Sequence, residues 1–176
     1  MSDGLHGLAG GSSLITFVSI IYVSINSISS ERLLIAFLLS AVLIVFLINN
    51  LCLGVSKKYR IFMGDAGSMF IGFSIAWILL DLSQDEVRSF PPVTALWLFA
   101  IPIIEMFVVV SRRLSLGESP FKPDLYHTHH LLMRLGLNKN STLLLMLSLS
   151  LFTSVIGILG VEYEISDRVM SVSYTH

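Results

Sequence analysis

The sequence predicts an all-α membrane protein, a polytopic bundle of about five transmembrane helices forming one membrane domain over residues 1–176. Three observations carry this. Hydrophobic residues make up 54% of the chain and charged residues only 13%, against about 25% charged in soluble domains. The mean hydropathy is +0.81. The apolar residues also gather in stretches separated by polar loops, as lipid demands of a backbone that must satisfy its own hydrogen bonds.

Those stretches are Ser12–Ile25, Leu33–Ile48, Ala66–Leu82, Val93–Val110 and Thr142–Val161. A span needs about 20 residues, in a range of about 17–25, so the first two draw on their flanks. Pro102 predicts a kink in the fourth. Glu105 lies in that same stretch, where an ionisable group is costly and often functional; a polar crevice beside Arg112 and Arg113 would also house it. Trp77 and Trp97 read as lipid-facing or interfacial aromatics.

Basic residues orient the bundle. The loops 49–65 and 112–141 hold Lys57, Lys58, Arg60, Arg112, Arg113, Lys122, Arg134 and Lys139, which is 8 of the 11 Lys and Arg. Alternation puts these loops, and the stretch 1–11, on one face, expected to be cytoplasmic. A net charge of -1 gives no reason to expect nucleic acid as a partner. Cys52 stands alone, so no internal disulfide forms. The glycine-rich start has no basic segment of the kind that opens a signal peptide.

Three polar stretches on that face look chemical. The turn Gly64-Asp-Ala-Gly-Ser68 sets a carboxylate, Asp65, among small residues at the head of an apolar helix. Asp65 either caps that helix or holds a hard cation that in turn holds a phosphate. The run His127-Thr-His-His130 sits in a loop with Arg112, Arg113, Lys122 and Arg134. Its imidazoles could bind zinc, donate hydrogen bonds to a diphosphate, or act as acid or base. The crowding of three rings on one turn disfavours zinc, and the surplus of cations favours an anion. The opening stretch offers Asp3, a metal ligand or base, among glycines that would equally make a flexible end.

Taken together, four segments resemble the polyprenyl-phosphate N-acetylhexosamine-1-phosphate transferases, and most of all their bacterial undecaprenyl-phosphate GlcNAc-1-phosphate branch. They are Met1-Ser-Asp-Gly-Leu-His-Gly-Leu8, Phe62-Met-Gly-Asp-Ala-Gly-Ser68, the Pro92–Pro102 stretch and Ser119–Arg134. The resemblance runs in order to about Gly160 and corresponds to the C-terminal half of the family fold. It implies transfer of GlcNAc-1-phosphate from UDP-GlcNAc to undecaprenyl phosphate with release of UMP. That reaction initiates O-antigen and enterobacterial common antigen lipopolysaccharide synthesis at the bacterial inner membrane. It also implies Mg2+ on Asp65, catalytic roles for Asp65 and Asp3, and contacts from His127, His129, His130 and Arg134 to the nucleotide-sugar phosphates. The implied partners are UDP-GlcNAc, undecaprenyl phosphate and the lipid bilayer, with a homodimer left open and no nucleic acid.

The chain departs from the pattern in places. His6 stands where the family has a second Asp, and imidazole is a poor ligand for a hard ion. The family's acidic loop, carried on helices upstream of the stretch that begins here at Met1, is expected to be missing from this piece, and residues 167–176 do not match the family's ending. Glu105 stands where Asp is usual. The expectation is a piece of a longer transferase that binds the diphosphate weakly and does not turn over alone. The alternative is a catalytically dead membrane scaffold or partner in cell-envelope glycan assembly.

Overall fold

The computed structural model describes residues 7–25, 30–50, 63–84, 89–119 and 127–163. Among these the chain is helical throughout, with no strand: α1 (Leu8–Ser24), α2 (Ser30–Asn50), α3 (Gly64–Gln84), α4 (Pro92–Leu98), α5 (Ala100–Ser115), α6 (Thr128–Arg134) and α7 (Lys139–Glu162). Each predicted apolar stretch becomes a helix, except the fourth, which becomes two. By length and composition α2, α3 and α7 can each cross a membrane, and α4 with α5 makes a fourth if the bent pair counts as one span. At 17 residues α1 sits at the short limit for a span. Among the described residues the chain thus has the helices of an integral membrane protein, three candidate spans or four with the bent pair, plus this shorter apolar helix.

The predicted boundaries shift in physically intelligible ways. α1 begins at Leu8, so the end of the expected 1–11 loop is helix; Gly7, at φ 87°, turns the chain into it. α3 begins at Gly64, two residues before the expected Ala66. The expected 112–141 loop contains α6, whose seven residues are too few to show a periodic pattern.

α1 is the hub, touching α2, α3, α4 and α7. It is buried on nearly every side because it is made of small residues there: Gly10, Gly11, Ser12, Ser13, Thr16 and Ser19. α7 answers with Ser150, Ser154, Gly157 and Gly160. In lipid, close backbone approach through small residues replaces the hydrophobic drive that packs soluble helices. A methyl group on Gly11 would stand 2.7 Å from Leu147 Cδ2, and one on Gly10 would stand 3.0 Å from the Phe46 ring. Hydroxyls buried on these helices bond back to their own backbone, as Ser19 does to Ile15 O at 2.8 Å and Ser40 to Ala36 O at 2.7 Å, so they cost little in an apolar setting. Large apolar side chains such as Phe73, Leu144 and Phe152 instead face outward, where lipid is their solvent. Trp77 does so as expected, at 47% exposed. Trp97 is partly exposed, with its Cβ close against Gly157.

The fourth stretch is broken rather than gently kinked. α4 and α5 meet at 78°, and the break falls at Phe99 (φ -121°, ψ 23°), three residues before Pro102. Proline has no N–H to give residue i−4 and its ring clashes with that carbonyl, so the disturbance appears upstream of the proline itself.

Side-chain contacts fix which helix ends lie together. Tyr22 Oη donates to Glu162 Oε1 at 2.6 Å, so the C-terminal ends of α1 and α7 meet. Arg32 pairs with Asp81 at 2.6 Å, joining the start of α2 to the end of α3. The opposite end of the bundle therefore gathers the start of α1, the end of α2, the start of α3, α6 and the start of α7.

Candidate functional site

This second end holds Asp65, at the start of α3, and His127–His130 and Arg134, on and beside α6. Two helices leading into it finish in the same way. Gly117 (φ 69°) and Gly136 (φ 100°) take the left-handed conformation that a residue without Cβ adopts cheaply. After α5, Gly117 N–H bonds Leu114 O at 3.0 Å and Glu118 N–H bonds Arg113 O at 2.9 Å. After α6, Gly136 N–H bonds Met133 O at 3.1 Å and Leu137 N–H bonds Leu132 O at 3.2 Å. Both are Schellman closures. Asn138 then caps α7, its Oδ1 accepting from Ser141 N–H at 2.8 Å. α6 is thus a short, sharply bounded turn of helix tied to the head of α7.

The histidines occupy the entry to α6. His127 is its N-cap, with extended backbone and no side-chain capping bond. The His127 and His129 rings lie nearly parallel, 6° apart with centroids 5.5 Å apart, and His130 tilts 40° against His129 at 4.3 Å. His129 is the inner ring, 7% exposed, and neither its Nδ1 nor its Nε2 has a hydrogen-bond partner among the described residues. Burial first, then the neighbouring His130 and His127, push the His129 imidazole down to about 4. At neutral pH it carries no charge and offers one donor and one acceptor. His127 and His130 are half-buried.

Glu105 lies on α5, and its Oε1 is buried without a hydrogen-bond partner among the described residues. Arg134 is exposed at the last turn of α6.

Asp65 lies at the same bundle end, on α3. It is exposed in the first turn of the helix. Neither Asp65 nor Ser68 is the N-cap, because both stand inside the helix. The Ser68 hydroxyl bonds Asp65 O at 2.9 Å, which leaves the Asp65 carboxylate outside that bond. Among the described residues nothing lies within 4 Å of where a Cβ on Gly64 (φ 67°) would be. A magnesium ion is typically held by one or two carboxylates, several waters and substrate phosphate oxygens; a lone exposed Asp65 fits that donor set. Among the described residues no three His, Cys, Asp or Glu side chains are placed to share one metal ion. Asp3, His6, Lys57, Lys58, Arg60 and Lys122 lie outside the described residues.

Residues 1–83 match the family model described as glycosyl transferase family 4. Three curated relatives align across most of the chain, each carrying the name undecaprenyl-phosphate alpha-N-acetylglucosaminyl 1-phosphate transferase. The Haemophilus influenzae protein is 40% identical over 165 residues, 94% of this chain and 46% of its own length. That from Yersinia pestis is 39% identical over 160 residues, 91% and 44% respectively. That from Escherichia coli K12 is 38% identical over 164 residues, 93% and 44%. The chain spans about half the length of the curated relatives it matches. No solved structure matches it.

Proposed function

We propose that the chain is a member of glycosyl transferase family 4, whose model its residues 1–83 match, and that it supplies the diphosphate-binding half of a phospho-sugar transferase. The reaction moves GlcNAc-1-phosphate from UDP-GlcNAc to undecaprenyl phosphate. An oxygen of the lipid phosphate attacks the sugar-bearing phosphorus, the bond to the nucleotide phosphate breaks, and UMP leaves. The lipid-linked product begins a cell-envelope polysaccharide such as lipopolysaccharide.

One observation carries the reading. The alignment with the Haemophilus influenzae protein covers 94% of the chain, and so takes in both Asp65 and His127–His130, which the fold gathers at one bundle end.

The roles follow from the chemistry of each group. His129, uncharged and with both ring nitrogens unpartnered, has a donor to give a phosphate oxygen. A neutral donor in a buried position does so without the cost of burying a charge. His127 and His130 flank it, and Arg134 adds a cation suited to phosphate. Asp65 would hold Mg2+, which supplies neutralisation of the diphosphate and of the departing UMP. Asp3 would complete the carboxylate set. The excess of Lys and Arg in the sequence stretches 49–65 and 112–141 supports a cytoplasmic site on the inner membrane, where a water-soluble nucleotide sugar meets a lipid.

The test is calorimetry of UDP-GlcNAc binding to the purified chain in lipid nanodiscs. Binding should appear with Mg2+ and vanish when EDTA removes it. Full binding in EDTA, or none in either condition, contradicts the reading.

A further inference from the structure

α6 has two unlike sides. Leu131 and Leu135, its C-cap, stand four residues apart with Arg134 between them in sequence. Positions i, i+3 and i+4 share one side of a helix. Leu131 is 56% and Leu135 73% exposed, and Arg134 is exposed with them. His129 falls on the other side and is buried. The side of α6 that points away from the bundle is therefore two leucines and a cation. Leucines scattered singly on a surface need no explanation, but two together on a helix this short do.

The place of α6 in the fold says what meets that side. α6 packs against α7, and only residues 135–138 separate the two helices. From Lys139 to Glu162 α7 is long and apolar enough to cross a membrane, and it turns Leu144 and Phe152 outward. At about 3.6 Å per residue the connector holds the end of α6 within about 18 Å of the first residue of that span, and the left-handed Gly136 folds it back. The exposed leucines thus continue the lipid-facing surface of α7 past its head. Cations stand at the same edge. Lys139 is exposed at the start of α7, and α5 ends on Arg112 and Arg113 followed by exposed Leu114 and Leu116. Leucines at the acyl boundary with cations at the headgroups mark a helix that lies on an anionic leaflet.

We propose that α6 rests on the membrane: Leu131 and Leu135 enter the boundary between headgroups and acyl chains of the leaflet at this bundle end, with Arg134 and Lys139 at the level of anionic lipid phosphates. The proposal does not depend on what the histidine turn binds. It sets the height of that turn. A helix is about 10–12 Å across with its side chains, so His129, on the far side, is held about that far from the lipid phosphates.

The experiment measures depth. In a Cys52→Ser background, which removes the single cysteine, one nitroxide label is attached at Leu131→Cys, at Leu135→Cys or, as a reference within the span, at Phe152→Cys. The whole chain is placed in nanodiscs of phosphatidylcholine with or without phosphatidylglycerol. Collisions of the label with oxygen, which concentrates in lipid, are compared with collisions with a water-soluble nickel complex. The oxygen-to-nickel ratio at positions 131 and 135 should be about threefold or more above that of the label free in solution, and below that at 152, as side chains seated about 5–10 Å into the boundary require. Phosphatidylglycerol should raise it further. A ratio like that of free label overturns the proposal. So does shielding from both reagents, which marks a protein surface over α6, and so does a ratio indifferent to phosphatidylglycerol.

A second measurement leaves the chain unaltered. Phosphatidylglycerol carrying a diazirine near the head of its acyl chain is photolysed in nanodiscs holding the wild-type chain, and the adducts are mapped by mass spectrometry. Adducts on Leu131 and Leu135 uphold the proposal. Adducts confined to the spans overturn it, whether or not the labelled variants fold.

Discussion

The Leu98 carbonyl accepts a hydrogen bond from the Thr16 hydroxyl at 3.1 Å. In an unbroken helix that carbonyl would have bonded the N–H of residue 102, but residue 102 is proline. The Ser154 hydroxyl lies 3.5 Å away on the other side. One orphaned acceptor, created by one proline, is thus met by hydroxyls from α1 and α7, and the break between α4 and α5 is locked against both.

Thr16→Val should therefore destabilise the bundle. It removes the nearer donor and leaves the buried Leu98 carbonyl with the longer Ser154 contact, at a cost of about 1–2 kcal/mol. Thr16→Ser, which keeps the hydroxyl, should recover most of that. Thermal unfolding in detergent measures both; equal midpoints for wild type and Thr16→Val would contradict the assignment.

Gly157 tests the same region by packing. A Cβ there would lie 3.1 Å from Trp97 Cβ and 3.1 Å from Leu98 Cδ2. Trp97 Cβ cannot swing aside, since it is attached to the backbone. Gly157→Val should force α4 from α7 and cost about 1–3 kcal/mol. Gly72, with nothing within 4 Å of its Cβ position, is the control, and Gly72→Ala should leave the unfolding midpoint near wild type.

His129 makes stability depend on pH. Its folded pKa is depressed to about 4, below the unperturbed value of about 6.5. Between these values the unfolded chain binds a proton that the folded chain refuses, so stability rises with pH. The contribution is fully present above about pH 6.5 and is lost as pH falls towards 4; its size is at most about 3 kcal/mol. His129→Gln should flatten this part of the profile. Melting midpoints measured from pH 7 to pH 4 check it, and an identical slope in wild type and variant would refute it.

Much of the fold was legible because lipid imposes a coarse code. Long apolar runs between polar loops marked the helices containing Leu33–Ile48, Ala66–Leu82 and Thr142–Val161 within a few residues, since no other backbone can sit there. Pro102 announced a disturbance, but its position upstream at Phe99 depends on where the lost N–H would have pointed. α6 was invisible because seven residues carry no period. The histidine run showed in the sequence by composition alone. The burial of Glu105 Oε1 did not, because what packs around a side chain leaves no trace in local pattern. Asp65 was readable as a carboxylate at a helix start, whereas its place inside the first turn, clear of the capping position, needed coordinates.

The central claim is that Asp65 and the histidine turn act on one bound diphosphate. The most direct measurement is a double-mutant cycle on UDP affinity, with Asp65→Asn, His129→Gln and the pair compared in saturating Mg2+ by calorimetry. The account predicts that each single variant weakens binding about tenfold or more and that the pair loses clearly less than the sum, because both groups serve the same phosphates. Losses that simply add, or a wild-type affinity in either single variant, would contradict it.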